Sequence, residues 1–168
     1  MNYPVPTPTP KGNAKFMDNV RLNKFISEFQ QMIAVAMGFH GATPEQLPKR
    51  INGNPFGIKG HFNHPCTVWV RKNRSNFLHM CRSTLEFLNE HYRRGGKGHA
   101  NARNNIKLAM AFAKNIPAGA RTEFPNCAAH DSLGVNYKHI KDVHVAYSLY
   151  INDRWDLDKK EPRWSYNE

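Results

Sequence analysis

The stretch that decides the fold is PCTVWVRKNRSNFLHMCRSTLEFLNEHYRRGG, residues 65–96. Pro65 suits a first helical turn, since its missing N–H costs nothing there and its φ is already helical. Trp69, Asn73 or Phe77, Cys81, Leu85 and Leu88 then recur about one turn apart, and Gly95-Gly96 supplies the stop. The pattern predicts one long central helix.

Upstream, Asn13 can cap a helix from about 14 to 37 whose apolar positions Phe16, Val20, Phe25, Phe29, Met32, Ile33, Ala36 and Met37 repeat near 3.6 residues, with Gly38 as its stop. Downstream, the spacing predicts a helix from about 101 to 115 on Ile106, Leu108, Met110 and Phe112, ended by Pro117. A last helix is expected from about 138 to 153 on Ile140, Val143, Tyr147, Tyr150 and Ile151. No segment alternates apolar and polar residues between turn signals. The expectation is therefore all-α: a single compact domain of about four helices with long loops. YPVPTPTP at residues 3–10 predicts an extended Pro-rich arm, which divides the chain into an arm over 1–12 and a helical domain over 13–168. Pro44, Pro48, Pro55 and four glycines between Phe39 and His64 predict a long loop.

Composition narrows the partner. Lys and Arg number 24 against 13 Asp and Glu, a formal charge of +11, and aromatic residues lie among the cations. Base stacking needs those π-faces and lipid headgroups do not, so DNA or another nucleic acid is the expected partner rather than a membrane. No run approaches the roughly 18 to 20 apolar residues of a membrane span, and MNYPVPTPTPKG lacks the apolar run of a secretory signal, so a cytoplasmic protein is expected. Cys66, Cys81 and Cys127 lack paired CxxC spacing and read as buried thiols. His61, Asn63 and His64 lack the context of a metal-dependent nuclease, so neither a metal nor another cofactor is expected. His64 reads as the cap of the second helix or as a hydrogen-bond donor to a phosphate.

Several constellations could carry chemistry. Glu28 borders the apolar stripe of the first helix, where partial desolvation tunes an acid for proton transfer or for stabilising a developing cation. Arg21 and Lys24 precede it by seven and four residues and share its side of the helix, although Lys24 and Glu28 also fit an ordinary exposed pair. In WVRKNRSN, Arg71, Lys72 and Arg74 could hold phosphates while Asn73 and Asn76 read base edges; an ordinary charged helix face is the competing reading. Tyr92, Arg93, Arg94, Lys97 and His99 surround Gly95 and Gly96, a candidate phosphate-contacting turn. Its spacing is not that of a P-loop.

FMDNVRLNKFISEFQQM, FNHPCTVWVR and, further along, HYRRGGKGH and PRWSY together resemble the phage-type pyrimidine-dimer DNA glycosylases, the endonuclease V class, and related phage proteins with a His-Pro-Cys-x-x-Trp segment. The resemblance covers the first half of the chain best. It implies base removal from DNA, possibly with cleavage at the abasic site. It also implies an N-terminal amine as nucleophile, that of Met1 or of Asn2, with Glu28 stabilising the imine and Arg21 as the basic residue earlier on that helix. An α-amine titrates at about 7.7 to 8.0 against about 10.4 for Lys, so it is partly nucleophilic at neutral pH. Asn2 stands where the family has a small residue, which leaves open a monofunctional variant in which Glu28 activates water. Either chemistry calls for an extruded nucleotide, with Trp69, Tyr92 or Trp164 as stacking groups, although Trp69 also fits the core. A non-catalytic DNA-binding protein on the same scaffold is the alternative.

Overall fold

The computed structural model describes residues 2–167, in which the helices are α1 Pro10–Phe16, α2 Asn19–Phe39, α3 Pro65–Lys72, α4 Arg74–Arg93, α5 Ala102–Phe112 and α6 Val143–Leu157. A 3-10 turn, Ala113–Asn115, extends α5. The small sheet pairs β1 (Ala129–His130) antiparallel with β2 (Val135–Asn136), Ala129 opposite Asn136. The all-α reading holds, with six helices rather than four among the described residues. None of those helices is long and apolar enough to cross a membrane.

Two of the extra helices come from side-chain caps that interrupt an apolar period. Asp18, with ψ 164°, accepts from the backbone of Val20 at 3.1 Å and Arg21 at 3.4 Å, and so starts α2 afresh. α1 begins earlier than expected, at Pro10, where Thr9 accepts from Gly12 N at 3.0 Å. Asn13 is not the cap; it is buried and accepts from Thr7 N at 2.8 Å. The same event splits the central stretch. Asn73, at φ −158° and ψ 167°, leaves helical space, accepts from Asn76 N at 2.9 Å and donates to Ala120 O at 3.0 Å. α3 and α4 therefore meet at a cap where one continuous helix was expected.

α2 and α4 form the centre. Phe25, Phe29 and Phe87 stack there, Phe29 edge-on to Phe87 at 4.9 Å, and Met32–Met37 of α2 are buried on every side. Gly38 does not end α2. It sits inside the helix, and a Cβ there would come within 2.7 Å of Ile58, so glycine lets the long loop lie down on α2.

The Pro-rich arm lacks regular structure from residue 3 to residue 5, yet it is threaded into the core rather than laid on the surface. Tyr3 and Val5 are buried, and the Tyr3 ring meets Phe29 at 5.2 Å, Phe124 at 5.5 Å and Trp69 at 5.8 Å. The Tyr3 hydroxyl lies 2.6 Å from Ser83 Oγ, so the ring is buried without an orphaned polar group. Burial of such a side chain stabilises by about 1.5–3 kcal/mol, enough to anchor residue 2 beside α2.

Candidate active site

A cavity of about 610 Å³ opens between α2, the loop after it and the turn that leads into α5. α2 contributes Glu28, the loop contributes Lys49, Arg50, Phe56 and His61, and the turn contributes His99. The loop is held in place by amides. Asn105 of α5 accepts from Lys49 N at 2.9 Å and donates to Lys49 O at 2.8 Å and to Gln30 Oε1 at 2.7 Å. Asn101 donates to Arg50 O at 2.8 Å, and Gln31 of α2 donates to Gly57 O. The cations at the rim thus stand on a rigid base, with the Arg50 guanidinium 5.5 Å from the centre of the Phe56 ring.

Glu28 is the acid among the lining residues, its side chain 17% exposed. Its Oε2 accepts from the backbone nitrogen of Asn2 at 3.0 Å, and its Oε1 lies 3.5 Å from Lys24 Nζ. Asn2 is fixed by its own side chain. Oδ1 accepts from Tyr3 N at 2.8 Å, from the Tyr147 hydroxyl at 2.8 Å and from Cys66 Sγ at 3.6 Å, while Nδ2 donates to Cys127 O at 3.2 Å. An Asp could not make the last bond, because a carboxylate has no donor. Asparagine therefore aims the residue-2 nitrogen at Glu28. Met1 lies outside the described residues.

His61 and His99 adopt φ of +54° and +56°, left-handed backbone that non-glycine residues rarely hold, and both line this cavity. Such strain collects at functional sites. His99 Nε2 lies 2.8 Å from Asn23 Oδ1, and burial, reinforced by nearby His91, keeps the His99 ring below the usual imidazole range. Burial and neighbouring positive charge, including His61, lower His64 in the same way. Its Nδ1 accepts from Cys66 N at 3.2 Å, so His64 caps α3.

Other expected DNA contacts are occupied with the fold. Arg21 is buried between Asp18 at 2.9 Å and Asp158 at 2.7 Å, so it faces protein carboxylates and not phosphate. Arg71 lies 4.0 Å from the Phe62 ring centre and donates to Phe62 O at 2.7 Å, which pins the end of the loop. Arg74 donates to Ala113 O at 3.0 Å and Lys114 O at 2.9 Å, closing the 3-10 turn. Asn76 is fully buried and bonds Trp69 O and Thr122, so with Asn73 spent as a cap neither amide can read a base. Trp69 is 5% exposed and donates to Thr122 O, which makes it core and not a stacking platform.

The glycine turn is likewise structural. Arg94, 4% exposed, donates to Glu90 at 2.8 Å, Asn19 at 3.1 Å and the carbonyls of Met17, Ala14 and Lys15, closing the end of α1. A Cβ on Gly96 would fall 2.4 Å from the His91 ring, so the glycine serves packing. Arg93 pairs with Glu90, and the Tyr92 hydroxyl donates to Gly98 O at 2.6 Å. Lys72 and Lys97 are exposed, and Lys24 stands at the Glu28 edge of the cavity. Trp164 is exposed but lines a different cleft with Lys11, Lys15 and Arg93, its indole donating to Phe16 O at 3.2 Å.

Of the expected site residues, the cavity brings together Glu28 and His99, with Asn2 held against Glu28. Lys49, Arg50 and Phe56 went unrecognised because they sit in a loop dense in Pro and Gly, where no periodicity marks a face. The two left-handed histidines leave no trace in sequence either. Compared with known proteins, the chain matches no family model, no curated protein and no solved structure.

Proposed function

We propose that this protein is a DNA N-glycosylase that removes a damaged or modified base, with Glu28 as the acidic group at the reacting sugar. The observation that supports this reading most is one partly buried carboxylate, bonded to the nitrogen of residue 2, in a cavity whose lining also includes Lys49, Arg50 and two histidines. A volume near 610 Å³ falls in the range that accepts an extruded nucleotide, and cations at the rim suit flanking phosphates. Phe56, beside Arg50, offers a π-face for the flipped base in place of Trp69.

Two balanced routes use this arrangement. In the first, the Asn2 nitrogen, freed as an α-amine by removal of Met1, attacks C1′ while the base departs with the electrons of the C1′–N bond and takes up the proton that the amine releases; protonation of O4′ then breaks the C1′–O4′ bond and opens the sugar, giving the iminium ion that Glu28 stabilises. In the second, Glu28 takes a proton from water, whose oxygen attacks C1′ as the base departs with the electrons of the C1′–N bond and is protonated, which leaves an abasic sugar. The 3.0 Å bond from the residue-2 peptide N–H to Glu28 marks where that amine would stand once Met1 is removed.

The test is incubation with DNA carrying cyclobutane dimers and with DNA rich in modified bases, followed by mass spectrometry of released bases. Free base is expected. A borohydride-trapped protein–DNA adduct identifies the amine route, and base release without an adduct identifies the water route. Salt-sensitive DNA binding with no base release on any substrate would overturn the enzymatic reading in favour of a binding protein.

A further inference from the structure

Beside the Glu28 cavity, three potential metal ligands from separate parts of the chain converge. His64 precedes α3, Cys66 lies in its first turn, and Cys127 arrives from the long segment that runs into β1. One ligand atom from each lies within 4.8 Å of the other two. Donors around a tetrahedral zinc ion, with Zn–S near 2.3 Å and Zn–N near 2.0 Å, sit roughly 3.5–3.8 Å apart, so closure needs a contraction of at most about 1.3 Å. Cys127, half-buried, gives an ion a way in, while Cys66 is fully buried.

We propose that His64, Cys66 and Cys127 form a binding site for a soft divalent cation of the zinc class. Two thiolates and a neutral imidazole make a complex of zero net charge, which is the combination a partly buried position in a chain of formal charge +11 tolerates. Three protein ligands leave the fourth position to water, the pattern of sites that stay open.

The surroundings fit. The two sulfurs lie within 4.8 Å of each other and of a His64 ring nitrogen, so a cation would take the place of the thiol protons between them. The Tyr147 hydroxyl, which donates to Asn2 Oδ1 at 2.8 Å, stands beside the cluster and has a proton to offer a metal-bound thiolate as the kind of outer hydrogen bond that orients metal ligands. Ligation by either nitrogen of His64 gives up the 3.2 Å cap bond from Cys66 N, because ligation through Nε2 requires a proton on Nδ1. The metal would then tie His64 to α3 in place of that bond. Ligation gives up the bond from the Cys66 thiol to Asn2 Oδ1, while Asn2 Nδ2 still donates to Cys127 O at 3.2 Å and keeps residue 2 tied to the cluster. The proposal goes beyond the glycosylase reading and does not depend on it, since it is tested without DNA.

Titration of the reduced, metal-free protein with Co²⁺, then with Zn²⁺ as competitor, reads the site directly. The expected result is one ion per chain, a thiolate-to-cobalt charge-transfer band and proton release on binding. Loss of an outer partner costs roughly 10–100-fold in affinity, so Cys127→Ser should weaken binding by more than about 100-fold and His64→Ala comparably. Cys81→Ser, at a buried thiol outside the cluster, should change nothing. A second measurement needs no variant: equimolar Zn²⁺ should protect Cys127 from alkylation in the native chain. Absence of the charge-transfer band, a band undiminished in Cys127→Ser, or unprotected alkylation of Cys127 in the presence of Zn²⁺ would each overturn the proposal.

Discussion

The arginines of the α3–α4 region and the cations at the cavity rim carry the same charge and do different work. Arg71, Arg74 and Arg94 lie on regular helices or their ends, and each donates to carbonyls of the chain itself. Lys49 and Arg50 lie in irregular backbone, form no ion pair among the described residues and line the cavity. A dense basic run in the sequence here marks where loops and helix ends are tied down. Around the Glu28 cavity, Lys24 supplies the direct ion pair and two residues between prolines, Lys49 and Arg50, supply the further positive charge.

Mutation should separate the two regions, and the largest effect belongs to the first. Arg94→Met leaves the Glu90 carboxylate with Arg93 alone and deprives the last carbonyls of α1 of their donor, so a loss of about 3–5 kcal/mol is expected in urea unfolding. A loss under about 1 kcal/mol would mean that Arg94 is not the tie described.

Protonation of His79 should come next. Its Nδ1 lies 3.2 Å from Arg121 Nη1, and burial, followed by the charges of Arg121 and Arg82, lowers it to about 4. Its folded value lies below the unfolded 6.5, so the unfolded chain binds the proton more readily. The contribution is therefore complete above about pH 6.5 and is lost as pH falls through about 4, by up to about 3 kcal/mol. Unfolding at pH 7 and pH 4.5 should show this difference reduced in His79→Gln; an unchanged pH slope would remove His79 as its source.

Arg71→Ala removes a cation stacked on Phe62 and a bond to Phe62 O, with an expected cost of about 1 kcal/mol and local loosening of the loop seen by hydrogen exchange. The double variant Lys49→Ala/Arg50→Ala should cost under about 0.5 kcal/mol in stability, yet lower the slope of log binding constant against log salt by about 2 for duplex DNA. If instead Arg71→Ala lowers the salt slope and the double variant does not, the two regions have been assigned the wrong way round.

The helical class was legible because apolar periods on α2 and α4 are strong: Phe25, Phe29, Phe77 and Cys81 all face inward as their spacing predicts. The breaks at Asp18 and Asn73 were harder to see, since the apolar period runs on through each cap. Glu28 was legible as an acid at the margin of a stripe. Its nearness to residue 2 was not, because that contact depends on Tyr3 being drawn into the core among Phe29, Trp69 and Phe124, a placement no local pattern encodes. The cysteines were misleading in the opposite sense: Cys66 and Cys127 are far apart in sequence without zinc-knuckle spacing, and only the fold sets them together.

The central claim is that Glu28 acts on DNA from within the basic cavity. Base release under single-turnover conditions, compared between the native chain and Glu28→Gln on the same DNA, tests it most directly. The account predicts a loss of about 100-fold or more with DNA affinity nearly unchanged. Equal rates of base release from the two proteins would contradict it.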